Sequence, residues 1–557
     1  MKRESQTPEI SVGTPWHRAA LAIASGAMIG FAFPPSPLYS LGYVGFIPFF
    51  LLMGTIRSGW QFLRYSYLML FVFHVITVYW TAGYTHMKDP WLMASGTAIL
   101  LAHPLFYWPG MILTWFVRKR LGLLAGLGGF MMFWISSEYL HSITEFAFPW
   151  MALGNSQAFD LYRLQLVEYT STYGLSALLL VFNIVGFLLI ANVATGTWSL
   201  RSRQSYIAMG ALATLYVVPF LYGMIVIGRY DEAPPSEGIK VGVIQPNIDP
   251  WEKWGEGYSN KSVAYEKQLR ALVEETEGLV NFKPDLVVWP ETAIPFPILS
   301  SRNAMRWSAL RTRLDSINVP VLTGLPTTVW YDSLSAPKTA SRVFDSNVFY
   351  ENFNSATLLI PGQEVGTIYR KVILVPFGER IPYADALSFL IEPLKWNVGI
   401  GMWGIGRDTA LFVLPVNTAR VPFSVMICYE SVFPEYVRNF VLRGAEFLVI
   451  ITNDSWWGNT SGAYQHASYA SLRAIENRRW IIRAANGGIS GFVDPVGRIH
   501  EKTSMYTEAT VTTKIIPASV QTFYTRHGDL FAILCLFCSG LFVILALVAE
   551  KEERTDV

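Results

Sequence analysis

Val421-Pro422-Phe423-Ser424-Val425-Met426-Ile427-Cys428-Tyr429-Glu430 is an apolar, β-branched run that stops at a thiol and a carboxylate. Such a run reads as a strand buried on both faces. The pattern repeats on either side of it. Downstream, residues 433–442 and 464–478 have helical periodicity, and Glu446 to Thr452 and Trp480 to Ala484 read as strands. Upstream, Lys240 to Gln245, Asp285 to Trp289 and Val319 to Gly324 are strand-like, separated by helical stretches at 258–280 and 301–317. Near-continuous apolar strands alternating with helices predict an α/β domain with buried sheets over residues 235–525.

The rest of the chain has a different composition. The first 230 residues carry 20 charged side chains, whereas the remaining 327 carry 64. An ionised group at mid-bilayer is expensive, so charge-free windows mark candidate membrane spans. They are 19–56, 65–87, 90–117, 121–137, 169–200, 204–228 and 530–549. The first window is long enough for two helices of roughly 20 residues, broken at Pro34, Pro35 and Pro37. The expectation is a polytopic helical domain over 1–230 with helices 1–7, an eighth helix at 528–550, and a tail at 551–557.

Basic residues in the short loops orient these helices. With the N-terminus inside, the inner segments hold Lys2, Arg3, Arg18, Arg57, Arg64, Arg118, Lys119, Arg120, Arg201, Arg203, Lys551 and Arg554. The outer short loops hold only Lys88 and Arg163. Seven crossings then place 235–525 outside the cytoplasm. Phe33-Pro34-Pro35 follows the first apolar segment where a signal-peptide cleavage site needs small residues, so that segment reads as retained. The outer loop 138–172, with Phe148-Pro149-Trp150, reads equally well as an interfacial segment at headgroup depth or as an ordinary aromatic belt.

Several chemistries lose support. With 43 Lys+Arg against 41 Asp+Glu the net charge is +2, which gives no support for nucleic-acid binding. Three cysteines exclude a disulfide-stapled scaffold. Cys535 and Cys538 form a CxxC inside an apolar helix without a second ligand pair, and read as packing. Gly399-Ile400-Gly401-Met402-Trp403-Gly404 matches a dinucleotide fingerprint, but lacks the strand before it and the helix after it, and reads as a flexible loop. There is no HExxH and no GxSxG. No metal and no cofactor are expected.

What remains is polar residues at strand ends. Val287-Val288-Trp289-Pro290-Glu291 places a carboxylate there. Tyr369-Arg370-Lys371 precedes Leu374-Val375-Pro376-Phe377-Gly378-Glu379, and Cys428 is the only cysteine in the α/β region. Singly, Glu291 reads as a helix cap, Lys371 as a surface charge and Cys428 as a small buried hydrophobe. Together they supply a base, a cation and a nucleophile.

At these positions the sequence resembles the nitrilase superfamily. The flanking apolar helices, Phe148-Pro149-Trp150, Trp289-Pro290-Glu291-Thr292-Ala293, Cys428-Tyr429-Glu430, Asn453-Asp454-Ser455-Trp456-Trp457-Gly458 and Arg473-Ala474-Ile475-Glu476-Asn477-Arg478 narrow the resemblance to the apolipoprotein N-acyltransferase family. The departures are extra N-terminal residues and a long 327–345 segment before the lysine motif. The resemblance implies an αββα sandwich inserted between helices seven and eight. By the same resemblance Glu291 is the general base, Lys371 stabilises the oxyanion and Cys428 is the nucleophile; the Tyr429 N–H, next to the nucleophile, is placed to serve as a second oxyanion donor. Glu379, Glu430 and Trp456 match supporting positions. Trp254 matches a mobile aromatic lid, a role Trp251 could share. Glu379 also has a plain reading as a loop hydrogen-bond partner.

The implied reaction moves an acyl chain from a membrane phospholipid, through a cysteine thioester, to the α-amine of a diacylglyceryl-cysteine at an apolipoprotein N-terminus. The implied setting is the bacterial inner membrane, multi-pass, with the catalytic domain on the periplasmic side of a monomer. A membrane-tethered amidase using the same triad, and a transporter or receptor with a sensory domain, are the rival readings.

Overall fold

A computed structural model describes residues 14–83, 90–232, 237–250, 252–253, 261–386, 403–407 and 409–549. Six of its helices are long and apolar enough to cross a membrane: Gly59–Ala82, Gly96–Leu121, Leu123–Leu140, Val167–Ala194, Arg203–Asp231 and Leu530–Val548. The first predicted window divides at its prolines, into a helix Pro15–Phe31 and a helical segment Tyr39–Thr55. Each spans 17 residues, at the lower end of the length that crosses the hydrocarbon core. Among the described residues six helices have full spanning length where the windows predict eight.

Among the described residues the polar part contains thirteen strands: β1 (Ile239–Gln245), β2 (Leu286–Val288), β3 (Val321–Asp332), β4 (Ser341–Arg342), β5 (Val348–Leu359), β6 (Ile368–Arg370), β7 (Phe412–Val416), β8 (Ala419–Ile427), β9 (Phe447–Thr452), β10 (Ile481–Ala485), β11 (Gly491–Val493), β12 (Ile499–His500) and β13 (Ala509–Ile515). They form two sheets. One runs β13-β1-β2-β3-β5-β4 with β6 paired to β5, and the other β12-β11-β10-β9-β8-β7. Each has a parallel centre, β1-β2-β3 or β8-β9-β10, flanked by antiparallel strands.

Alternation along the strands builds the layers. Val241, Val243, Leu286, Val288 and Leu322 share one core with Val425, Val449 and Ile482 of the other sheet. Ile244, Val287, Trp289 and Val321 point the other way, onto Leu269, Leu272, Leu310 and Leu314 of the helices Lys261–Gly278 and Ala304–Ile317. On the far side, the helices Pro434–Leu442 and Ser461–Asn477 bring Phe440 and Ala470 onto the second sheet. The result is the αββα nitrilase-like sandwich.

Two local readings change. The strand expected at Val319–Gly324 continues to Asp332, and pairs with β5 over twelve residues, so the start of the long 327–345 segment, up to Asp332, is the outer arm of a hairpin. The loop containing Trp150 is neither a headgroup anchor nor an aromatic belt at that residue. Trp150 is 0% exposed, ringed by Trp80, Trp457, Tyr429, His466 and Tyr469 at centroid distances of 5.0–6.4 Å. Burial against a second domain removes more aromatic surface from water than an interface can.

Gln465, on helix Ser461–Asn477, fastens this seam. Its Oε1 accepts the indole N–H groups of Trp80 (3.1 Å) and Trp150 (2.7 Å). Its Nε2 donates to the carbonyls of Pro34 and Thr77, both at 2.9 Å. A fully satisfied buried amide of this kind fixes one orientation of the sandwich on the helices.

Candidate active site

Both sheets aim the carboxyl ends of strands at one place, beyond their parallel centres, where open α/β sheets put their ligands. Glu291 follows β2, Lys371 follows β6 directly, and Cys428 follows β8 directly. The loops they sit on are strained. Cys428 itself has φ +55°, Thr292 beside Glu291 has φ +44°, and Phe377, two residues before Glu379, has φ +62°. Non-glycine residues in the left-handed region cost on the order of 1 kcal/mol each and concentrate at functional sites. The Glu291 loop also lies hard against β3, where a Cβ on Gly324 would come within 2.5 Å of the Thr292 nitrogen.

The side chains converge. Lys371 is 1% exposed, its Nζ 2.9 Å from Glu379 Oε1 and 3.7 Å from Glu291 Oε1. Asn354 on β5 donates to Glu291 Oε1 at 2.7 Å, and its carbonyl accepts the Lys371 N–H at 2.8 Å. Glu379 accepts the Val375 N–H at 2.8 Å through its other oxygen, so it both holds the lysine and closes its own loop. Cys428 is buried within the field of Glu291 and Lys371.

Electrostatics set the resting protonation. Burial raises the Cys428 thiol well above its ordinary range and Glu291 raises it further, against the opposing pull of Lys371. Burial likewise raises the Glu291 carboxyl, while Lys371 lowers it. Burial works against the Lys371 ammonium, but Glu379 and then Glu291 overcome it and hold the lysine charged. The resting site is thus a thiol beside a carboxylate–ammonium–carboxylate cluster, and proton transfer from sulfur must accompany attack.

Cys428 also opens a short 3-10 helix, Cys428–Val432, whose first N–H groups lack partners within that helix. The Tyr429 N–H is among them. The Tyr429 ring faces the seam, its hydroxyl donating to the Ala147 carbonyl at 2.8 Å. Glu430 is fully buried and accepts the N–H groups of Ile427 (2.7 Å), Val372 (2.7 Å) and Ile373 (3.2 Å). It therefore ties the cysteine strand to the lysine loop. Burial pushes its carboxyl up to about 7.

Trp456 is half-buried in the 3-10 turn Asp454–Trp457, and the next residue, Trp457, packs edge-on against Trp150 in the seam. Trp251 and Trp254, the two lid candidates, lie outside the described residues, as does most of Gly399–Gly404. Among the described residues no group of His, Cys, Asp and Glu is arranged to hold a metal.

Sequence reasoning missed a buried network behind the nucleophile. His466 Nε2 lies 2.9 Å from Ser431 Oγ and 3.2 Å from the Cys428 carbonyl oxygen. Its Nδ1 lies 2.9 Å from Asp454 Oδ1, and Arg483 pairs with the other Asp454 oxygen. Burial would raise Asp454, but Arg483 and His466 outweigh it and hold the carboxyl at about 2. One signal was present: Arg483 and Asn354 interrupt strands that are otherwise buried, and a buried polar group needs a partner.

The two halves of the chain match separate family models: the apolipoprotein N-acyltransferase N-terminal domain over residues 25–185, and carbon-nitrogen hydrolase over residues 240–524. Over 543 residues the chain is 32% identical to an apolipoprotein N-acyltransferase of Chlorobaculum tepidum, covering 96% of this chain and 97% of that one. The chain belongs to the apolipoprotein N-acyltransferase family. A second such acyltransferase, from Geobacter metallireducens, is 30% identical over 537 residues, 96% of this chain and 95% of its own. Among solved structures, an amidase of the nitrilase superfamily from Nesterenkonia matches with a TM-score of 0.36 and 18% identity, covering 55% of this chain and 99% of the amidase. As an apolipoprotein N-acyltransferase family member, the chain couples apolar membrane helices to a nitrilase-like domain through the Trp150 seam.

Proposed function

We propose that this acyltransferase carries an acyl chain from a phospholipid ester to the α-amine of an N-terminal diacylglyceryl-cysteine, through a thioester on Cys428. The observation that carries this reading is the convergence of Glu291, Lys371 and Cys428 in a chain of this family. Each residue comes from the same chain, so the working unit is taken to be a monomer.

In the first half, Cys428 Sγ attacks the ester carbonyl carbon as its proton passes to Glu291. Lys371 Nζ and the Tyr429 N–H stabilise the oxyanion, a term worth about 3 kcal/mol per well-placed donor. The ester C–O bond then breaks, and the leaving alkoxide takes the proton from Glu291 and departs as lysophospholipid. In the second half the free amine attacks the thioester and passes its proton to Glu291. Collapse breaks the C–S bond, and the proton returns to sulfur. Glu379 positions Lys371, and Glu430 holds the cysteine and lysine loops in register.

Purified protein in mixed micelles, given a phospholipid and a diacylglyceryl-cysteine peptide, is expected to release one lysophospholipid for each peptide that gains an amide-linked acyl chain. Release of free fatty acid without peptide acylation would assign the chain to hydrolysis and overturn the transferase reading.

The proposed arrangement is seven helices within 1–230, the catalytic domain at 235–525 outside the cytoplasm, and an eighth helix at 528–550 returning the tail inside, in a bacterial inner membrane. The basic-residue bias of the short loops supports it. Leu334, at the tip of the β3 hairpin, is 98% exposed and suits a reporter. Alkaline phosphatase inserted there should be active. An inactive phosphatase together with a fluorescent cytoplasmic reporter at the same site would reverse the orientation.

A further inference from the structure

Lys253 is a buried cation that the reaction above leaves unused. It closes the loop after β1, its N–H donating to the Asp249 carbonyl at 2.9 Å, and Gln268 from helix Lys261–Gly278 donates to its own carbonyl at 3.2 Å. The side chain turns inward, 1% exposed, and Nζ donates to the backbone carbonyl of Glu291 at 2.8 Å. A lysine this far from water persists as a cation only where negative charge balances it. Burial lowers its proton affinity to about 8, with Glu291 opposing the drop, so it is mainly charged at neutral pH.

The groups facing Glu291 are Lys371, Glu379, the Asn354 amide and Lys253, and Cys428 lies within reach of its field. Asp454 acts on Cys428 from behind, already paired with Arg483. Counting Lys371 alone, two carboxylates face one ammonium, and a thiolate would form in a site with surplus negative charge. Lys253 makes it two against two. Proton transfer from Cys428 to Glu291 then moves negative charge within a neutral cluster without changing its sum.

We infer that Lys253 is a positioning residue for acyl transfer, anchoring the Glu291 loop through its carbonyl and supplying the second ammonium that keeps Glu291 ionised and able to take the Cys428 proton. This rests on the reading of Glu291 as the base. The sign follows from the charge: removing a nearby cation raises the Glu291 carboxyl further, so the acid limb of the rate profile moves to higher pH.

The test is the pH profile of single-turnover Cys428 acylation by phospholipid in mixed micelles, for the intact protein and for Lys253→Met, Lys253→Gln and Glu291→Gln. Lys253→Gln keeps an N–H donor and removes the charge, which covers the case in which Lys253→Met does not fold. Both lysine variants should lose about tenfold at neutral pH, with the acid limb raised by about one unit. Glu291→Gln should lose the reaction at every pH. An acid limb that stays in place in Lys253→Gln, whether the rate is unchanged or uniformly lowered, would overturn the charge role and leave Lys253 a loop anchor. Wild-type rates in Glu291→Gln would instead remove the base, a distinguishable failure.

Discussion

Cys428→Ala eliminates acyl transfer, with a loss of at least about 10⁴-fold, and leaves the protein folded in its membrane. The expectation follows from the neighbourhood of the sulfur. Two hydroxyls lie near and both are engaged elsewhere: Ser431 donates to the Cys428 carbonyl at 2.8 Å and lies against His466, and Thr452, which neighbours the thiol, donates to Asp454 Oδ1 at 2.8 Å. Stability changes little. Deleting one sulfur from a tight buried site costs about 1 kcal/mol, and alanine bears the left-handed backbone at that position no worse than cysteine does. Transfer assays and thermal unfolding of the same preparation check both halves. Substantial activity in the variant would remove Cys428 as the nucleophile.

Lys371 separates charge from geometry. Lys371→Ala leaves Glu291 and Glu379 facing one another without their shared cation, and stranding buried charge in this way costs about 3–5 kcal/mol. Both activity and melting temperature should fall. Lys371→Arg keeps the charge and should recover most of the stability, yet acylate Cys428 at a rate within about tenfold of the alanine variant. The reason is volume. Nζ is a compact donor 2.9 Å from Glu379 and 3.7 Å from Glu291 in a site closed to water, and a planar guanidinium cannot enter without displacing a carboxylate or the ester. A displacement of about 1 Å costs on the order of 10²-fold in rate. Single-turnover acylation beside thermal unfolding decides the matter. Near-normal acylation with arginine would move Lys371 from the reacting centre to a phosphate-binding role, which arginine performs at least as well.

The parts of this site that were legible in the sequence share one property: they end apolar runs. Cys428 and Glu291 stand out because a buried strand stops at them, and the central strands of both sheets are legible for the same reason. The short strands β4, β6, β11 and β12 are two or three residues long and carry no periodicity to read. Asn354, His466 and Arg483 have no motif of their own. Their roles depend on packing within each half of the sandwich, which pairs residues far apart in sequence: Asn354 with Glu291 on the first sheet, and His466 and Arg483 with Cys428 and Asp454 on the second. Trp150 was misread for a related reason. An aromatic beside membrane helices has an adequate local explanation, and only the docked sandwich reveals that the ring is covered. Lys253 was visible but unassigned, because a lysine in a loop reads as solvated until its Nζ is seen on the Glu291 carbonyl.

The thioester itself is the most direct object to measure. Protein incubated with phospholipid and no acceptor, then digested and examined by mass spectrometry, should carry one fatty-acyl mass on the Cys428 peptide. That mass should disappear on treatment with neutral hydroxylamine, and on addition of diacylglyceryl-cysteine peptide, at the rate at which N-acylated peptide appears. Full transfer activity with Cys428 unmodified throughout, or with the acyl group on another residue, would contradict the mechanism.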